Sequence, residues 1–144
     1  MAQPKPVAMT EEDLIFAARA AASRAHAPYS NFAVGCAVES MSGEISTGTN
    51  VENACYRLGL CAEQAALAAA QLAFGLDQVK RIAVVALSGD SPVTPCGGCR
   101  QAILEAANLS GIDIEVVCAG TAETFSTTIA KLLPHSFGAT RILE

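Results

Sequence analysis

Two short stretches of this chain place reactive side chains at metal-ligand spacing: Cys61-Ala62-Glu63, and Pro95-Cys96-Gly97-Gly98-Cys99. Together they supply three thiols and one carboxylate. Three sulfurs hold a zinc ion and leave its fourth position for water, the arrangement of catalytic rather than structural zinc. A carboxylate beside that water can carry its proton. The set therefore points to hydrolytic chemistry, with Cys61, Cys96 and Cys99 as ligands and Glu63 as proton carrier.

Both stretches read as helix starts. The two glycines between Cys96 and Cys99 let the backbone turn tightly, so that both sulfurs can face one point. Helix N-termini present unpaired N–H groups and partial positive charge, which suit thiolates. Two such ends meeting at one ion lower the cost of gathering three negative sulfurs. In mid-helix, a Glu two residues after Cys61 would point to nearly the opposite side. At a first turn the ion lies off the helix end, near the axis, and Glu63 can reach a water there without ligating the metal.

The same cysteines allow two other readings. Cys55 lies six residues before Cys61 and could serve as a fourth sulfur of a structural zinc, which leaves Glu63 without a role. A C-x-x-C pair can also be a redox dithiol, which leaves Cys61 unused. Cys36 and Cys118 fall in apolar stretches and read as packing residues. His26 and His135 read as surface or capping residues.

The elements that must position this set follow from local patterns. Thr10 and Asp13 form a capping box, and Leu14, Ile15, Ala18, Ala21, Ala22 and Ala25 recur at helical spacing up to Pro28. Phe32–Val38 reads as a buried strand, residues 41–44 as a turn, and Ile45–Thr49 as the returning strand. Cys61–Phe74 is a helix closed by Gly75. Arg81–Leu87 is a strand, Gly98–Ala107 a helix and Ile112–Cys118 a strand. A weaker strand at 123–126 and a short helix at 128–133 end at Pro134. Residues 50–60 follow no simple period. A hairpin followed by βαβ units implies an α/β fold, a mixed sheet with helices on both faces. Residues 1–9 read as a loose arm, and 10–144 as a single domain.

Composition narrows the partners. The chain has 144 residues, of which 51% are hydrophobic and 16% charged, which is ample for one core. Net charge is −5, and the nine Lys and Arg are scattered, which argues against nucleic acid, whose phosphates need clustered cations. The apolar runs at 65–70 and 82–87 are too short to span a membrane. The first residues hold no apolar leader, so free thiols and a cytoplasmic location are expected.

A C-x-E at one helix start with P-C-x-x-C at a second is the established signature of zinc nucleobase deaminases, with Cys in place of the usual His. Further stretches extend the likeness: Ala27-Pro-Tyr-Ser-Asn-Phe32, Asn50-Val-Glu-Asn-Ala-Cys-Tyr56, Pro95-Cys-Gly-Gly-Cys-Arg-Gln101 and Leu132-Leu-Pro-His-Ser-Phe137. From about Thr10 to Phe137 the chain resembles the homotetrameric zinc-dependent cytidine deaminases. The resemblance implies a three-layer α/β/α sandwich with a five-stranded mixed sheet. It implies one zinc per subunit on Cys61, Cys96 and Cys99, with Glu63 shuttling protons. Asn50 and Glu52 would hold the ribose hydroxyls, Phe32 would pack on the pyrimidine, and the backbone at Ala62 would meet the base edge. Tyr56 and Phe137 would be lent by a neighbouring subunit to shared sites. The implied reaction is deamination of cytidine and deoxycytidine. A same-fold deaminase of another aminated heterocycle and a non-catalytic zinc module are the alternatives.

One position departs from the family pattern. Arg commonly follows the catalytic Glu and helps neutralise the thiolates; here Gln64 stands there. Three thiolates on a divalent ion leave about one net negative charge by simple counting. The expectation is that the two helix ends, with Arg100 or Arg57, compensate, and that Gln64 donates an N–H bond to a sulfur.

Overall fold

The structure, a computed structural model, describes residues 8–139. The expected arm therefore lies, for residues 1–7, outside the described residues. In chain order the elements are α1 (Glu11–Ala22), β1 (Val34–Ser40), β2 (Ile45–Thr49), α2 (Ala62–Ala73), β3 (Val79–Ala86), α3 (Gly97–Ser110), β4 (Glu115–Ala119), β5 (Thr124–Thr128) and α4 (Ile129–Leu132). Single 3-10 turns lie at Tyr56–Leu58 and Leu76–Gln78. The strands form one five-stranded mixed sheet in the order β2-β1-β3-β4-β5. Only β3 and β4 run parallel; the other pairs are antiparallel. Among the described residues no helix is long and apolar enough to cross a membrane.

Alternation along the strands divides the core in two. Ala37, Ala83, Val85, Val117 and Ala119 face α1, which meets them with Leu14 and Ala18. Cys36, Val38, Ile82, Val84, Val116 and Cys118 face the other way, under Ala62, Ala66 and Ala70 of α2 and Ile103, Ala106 and Ala107 of α3. This is the expected three-layer α/β/α sandwich. Side chains such as Ile82 and Ile103 are fully buried, and each such burial stabilises the fold by about 1.5–3 kcal/mol.

Several boundaries differ from the sequence reading by a few residues, and two of them bear on the site. Helix α1 stops at Ala22 rather than running toward Pro28. The residues beyond spend their backbone groups elsewhere: His26 N donates to Asn50 O (3.1 Å), and Glu52 N donates to His26 O (2.8 Å). Arg24 and Ala25 still turn back on the helix end, with Ala25 N donating to Ala22 O (3.1 Å), but the helix proper is over. Strand β1 begins at Val34, because Asn31 adopts a left-handed backbone with φ 55° and turns the chain before the strand can start.

The sheet edge that matters for chemistry is the one where β1 begins and β2 and β3 end. Val34 pairs with Ala86, and Gly35 with Thr49, so these termini lie side by side. The connection from β2 leads to the N-terminus of α2, and the one from β3 leads to the N-terminus of α3. In α/β sheets the carboxyl ends of strands are where ligand sites form.

Two glycines let the helices sit close enough. A methyl group on Gly35 would strike Ala18 O and Ala22 N of α1, and one on Gly48 would strike Ala66 N and Ala62 O of α2. Gly48 thereby seats the turn of α2 that carries Cys61 and Glu63. Gly48→Ala is expected to destabilise the protein by about 1–3 kcal/mol through forced backbone movement. It should also reduce the zinc retained after dialysis. Urea unfolding and elemental analysis check both outcomes.

Candidate metal centre

Cys61 is the N-cap of α2 and Cys96 the N-cap of α3, with Cys99 in the first turn of α3. Neither helix has a side-chain cap at its N-terminus, so its first N–H groups remain available to anions. The sulfurs of Cys61, Cys96 and Cys99 lie within 4.8 Å of one another. A tetrahedral zinc with Zn–S bonds near 2.3 Å places its sulfurs about 3.8 Å apart, close to the size of this triangle. Cys55 stands outside the group; it is exposed, and its backbone N–H is held by Asn53 Oδ1 at 2.8 Å. The group is thus three sulfurs, not four.

Burial governs the ionisation of most of these side chains. Burial raises the pKa of Cys61, and burial followed by the charge of Glu63 raises that of Cys99. Cys96 is lowered, chiefly by the backbone N–H of Cys99. Glu63 is only 6% exposed, and its burial raises its carboxyl pKa. Three thiolates and a carboxylate crowded together repel one another unless a cation lies among them. Soft sulfur donors in a group of three fit zinc. Behind the site, burial also pushes the Cys118 thiol up to about 11, so it remains a neutral packing group.

Gln64 donates from Nε2 to Cys99 Sγ at 3.8 Å. Arg100 turns its guanidinium to Pro95 O, Leu132 O and Thr94 Oγ1 rather than to a sulfur. Arg57 is exposed on the 3-10 turn at Tyr56–Leu58, and among the described residues no hydrogen bond joins it to the cysteines.

The thiols open onto a cavity of about 790 Å³, whose wall includes Phe32, Asn50, Glu52, Tyr56, Ala62 and Glu63. Asn50 is wedged across the start of β1: Nδ2 donates to Phe32 O (2.8 Å), and Oδ1 accepts from Val34 N (2.9 Å). One N–H and one lone pair of its amide are left over. Glu52 Oε1 accepts from Tyr29 N (2.9 Å) and Ser30 N (3.1 Å), and hydrogen bonds from Ser30 lead in holding its pKa below the usual carboxylate range. Its Oε2 has no hydrogen bond among the described residues. Ala62 is the first residue of α2, so its N–H has no partner within the helix.

Tyr29 is a wall residue the sequence reading left without a role. It meets Tyr56 edge-to-face, with ring centroids 5.7 Å apart, and its place inside the Ala27–Phe32 stretch was the available signal. Phe137 does not line this cavity, and its ring is exposed. The structure thus brings Phe32, Asn50, Glu52 and Ala62 to the thiols; Tyr56, expected to come from a neighbouring subunit, lines its own chain's cavity instead, and Phe137 stands apart.

Two substitutions test the ligand set. Cys96→Ala should lose the metal, measured as the zinc-to-protein ratio. Gln64→Leu removes only the N–H···S bond and should weaken zinc about 10–100-fold, as loss of a group supporting a ligand does. Competition against a chromogenic chelator reads that change.

Comparison with known proteins agrees with this arrangement. The cytidine and deoxycytidylate deaminase zinc-binding region matches residues 9–112. The cytidine deaminase of Sporosarcina psychrophila is 41% identical over 129 residues, covering 90% of this chain and 92% of that protein. A probable cytidine deaminase of Dictyostelium discoideum is 41% identical over 133 residues, 90% of this chain and 86% of that one. The crystal structure of cytidine deaminase from Burkholderia pseudomallei superposes with a TM-score of 0.82 at 42% identity, over 90% of this chain and 100% of that chain. With the matched region spanning both cysteine stretches and the two helices that carry them, the chain belongs to the cytidine and deoxycytidylate deaminase zinc-binding family.

Proposed function

We propose that this protein converts cytidine and deoxycytidine to uridine and deoxyuridine, consuming water and releasing ammonia. The observation that carries the reading is the three-sulfur group beside a buried Glu63 in the wall of one cavity. Cys61, Cys96 and Cys99 would hold zinc, which when bound supplies a water activated for attack on C4 of the pyrimidine.

Glu63 moves the protons. It accepts one from the water and delivers it to N3, which makes C4 electrophilic. Once the water's oxygen has bonded to C4, Glu63 takes the proton left on that oxygen and passes it to the exocyclic amine. The C4–N bond then breaks, ammonia leaves, and C4 keeps the oxygen as the carbonyl of the product. Burial favours the protonated carboxyl, which brings the group's pKa closer to the operating pH, as proton exchange requires. The Ala62 N–H, unpartnered at the helix start, would meet the base edge, and Phe32 would give the ring a surface to pack on.

Asn50 and Glu52 are read as the sugar's partners. Each is held by backbone groups on one side and keeps bonding capacity on the other. A free base would leave that capacity unused. Among the described residues the cavity wall contains no Lys, Arg or His, and it carries two carboxylates, Glu52 and Glu63. A 5′-phosphate would therefore meet repulsion without a counter-charge, which favours a nucleoside over a nucleotide.

Phe137 completes the reading. Unused in its own chain's cavity, it is assigned to the pocket of a neighbouring subunit, where it would stack on the base. This makes a homotetramer with shared sites the expected assembly. All six cysteines are free thiols, which agrees with a cytoplasmic location.

Incubating the purified protein with cytidine and following ammonia tests the activity. Cytosine should be a far poorer substrate, and equal rates would remove the sugar-binding role of Asn50 and Glu52. Glu63→Gln should lower kcat by at least about 10²–10⁴-fold while zinc stays bound. Substantial turnover in that variant would contradict the role of Glu63.

A further inference from the structure

Two adjacent residues of α3 reach from the metal turn to the C-terminal segment. Arg100 spreads its guanidinium over three acceptors: Nε donates to Pro95 O (2.7 Å), Nη1 to Leu132 O (2.8 Å) and Nη2 to Thr94 Oγ1 (3.2 Å). Gln101 Nε2 donates to Phe137 O at 3.0 Å. In sequence, Pro95 directly precedes Cys96 and Arg100 directly follows Cys99.

Leu132 is the last residue of α4, so its carbonyl has no partner within the helix. The segment from Leu132 to Phe137 is thus pinned at both ends by neighbouring residues of the helix that carries two of the three sulfurs. Between the pins the chain reverses through His135, at φ 52°. Beyond them the Phe137 ring stands 59% exposed, away from its own chain's cavity. A planar guanidinium with donors in a fixed fork can serve three acceptors at once; an ammonium on a flexible stem cannot hold them in that geometry.

We propose that Arg100 and Gln101 are positioning residues that join the metal turn and residues 132–137 into one unit, setting the Phe137 ring at a fixed place relative to the three sulfurs. This rests on the reading in which Phe137 is lent to a neighbouring subunit. On that reading, the frame of one subunit's metal turn aims the aromatic ring that completes the next subunit's pocket. Arg100 then acts on the site by bracing its backbone, whatever its charge adds.

The chain contains no tryptophan, so Phe137→Trp introduces a single reporter. Time-resolved fluorescence anisotropy of the zinc-loaded protein then measures the mobility of the indole on the nanosecond scale. Gln101→Met keeps the length of the side chain and removes its donor. Added to the reporter protein, it should increase the fast depolarisation. In the otherwise unchanged protein it should raise KM for cytidine about 3–10-fold, the worth of one lost hydrogen bond, with kcat and zinc content level. Arg100→Lys should loosen the indole and also speed zinc loss to a chelator. Unchanged depolarisation and KM in Gln101→Met would overturn the proposal, as would a fall in kcat at constant KM. If the indole loosens as expected but the parent protein releases no ammonia from cytidine, the clamp stands and the nucleoside reading falls.

Discussion

The constraint on which this structure depends is electrostatic. Three thiols and a carboxyl are gathered at one spot, and two of them, Cys99 and Glu63, are buried. Burial raises the pKa of Cys61, Cys99 and Glu63, so these three resist ionisation when left alone, whereas the backbone N–H of Cys99 lowers that of Cys96. The fold answers with two helix N-termini, each uncapped by a side chain and each ending at a cysteine. Their partial charges and free N–H groups favour thiolates, and a divalent cation supplies the remainder.

Everything that holds α2 and α3 in place therefore serves the site. Gly48 lets α2 lie against β2, and the alternation of the strands buries Ala62, Ala66 and Ala70 on the same face as Ile103 and Ala106. The two helices enter from one edge of the sheet, because β2 and β3 both end there beside the start of β1. The same edge carries Asn50 and Glu52, so the residues read as gripping a sugar are fixed by the sheet that positions the metal. Among the described residues the cavity wall carries two carboxylates and no Lys, Arg or His.

The chemistry was more legible in the sequence than the boundaries were. Cysteine and glutamate act through identity and spacing, and both can be read directly. The strands and helices that carry them followed from alternation, apolar period and punctuation by Gly and Pro. The end of α1 was not legible, because it is decided by hydrogen bonds from His26 and Glu52 to residues distant in sequence. The start of β1 depended on a left-handed Asn31, a conformation the residue type permits but does not announce. Arg100 illustrates the deeper limit. Its charge beside the thiols could be read from the sequence, but its bonds to two carbonyls and a hydroxyl, one of them 32 residues away, could not. Gln64 was the reverse case, a departure from the family pattern whose bond to Cys99 followed from the need to support a sulfur.

The central claim is that the three sulfurs hold a metal with one position left for chemistry. X-ray absorption at the zinc edge of the purified protein measures this most directly, because scattering counts sulfur and lighter ligands separately. The account predicts three sulfur neighbours at about 2.3 Å and one oxygen or nitrogen neighbour at shorter distance. Four sulfur neighbours would contradict it, since they would make the zinc a closed structural staple and leave Glu63 with nothing to do.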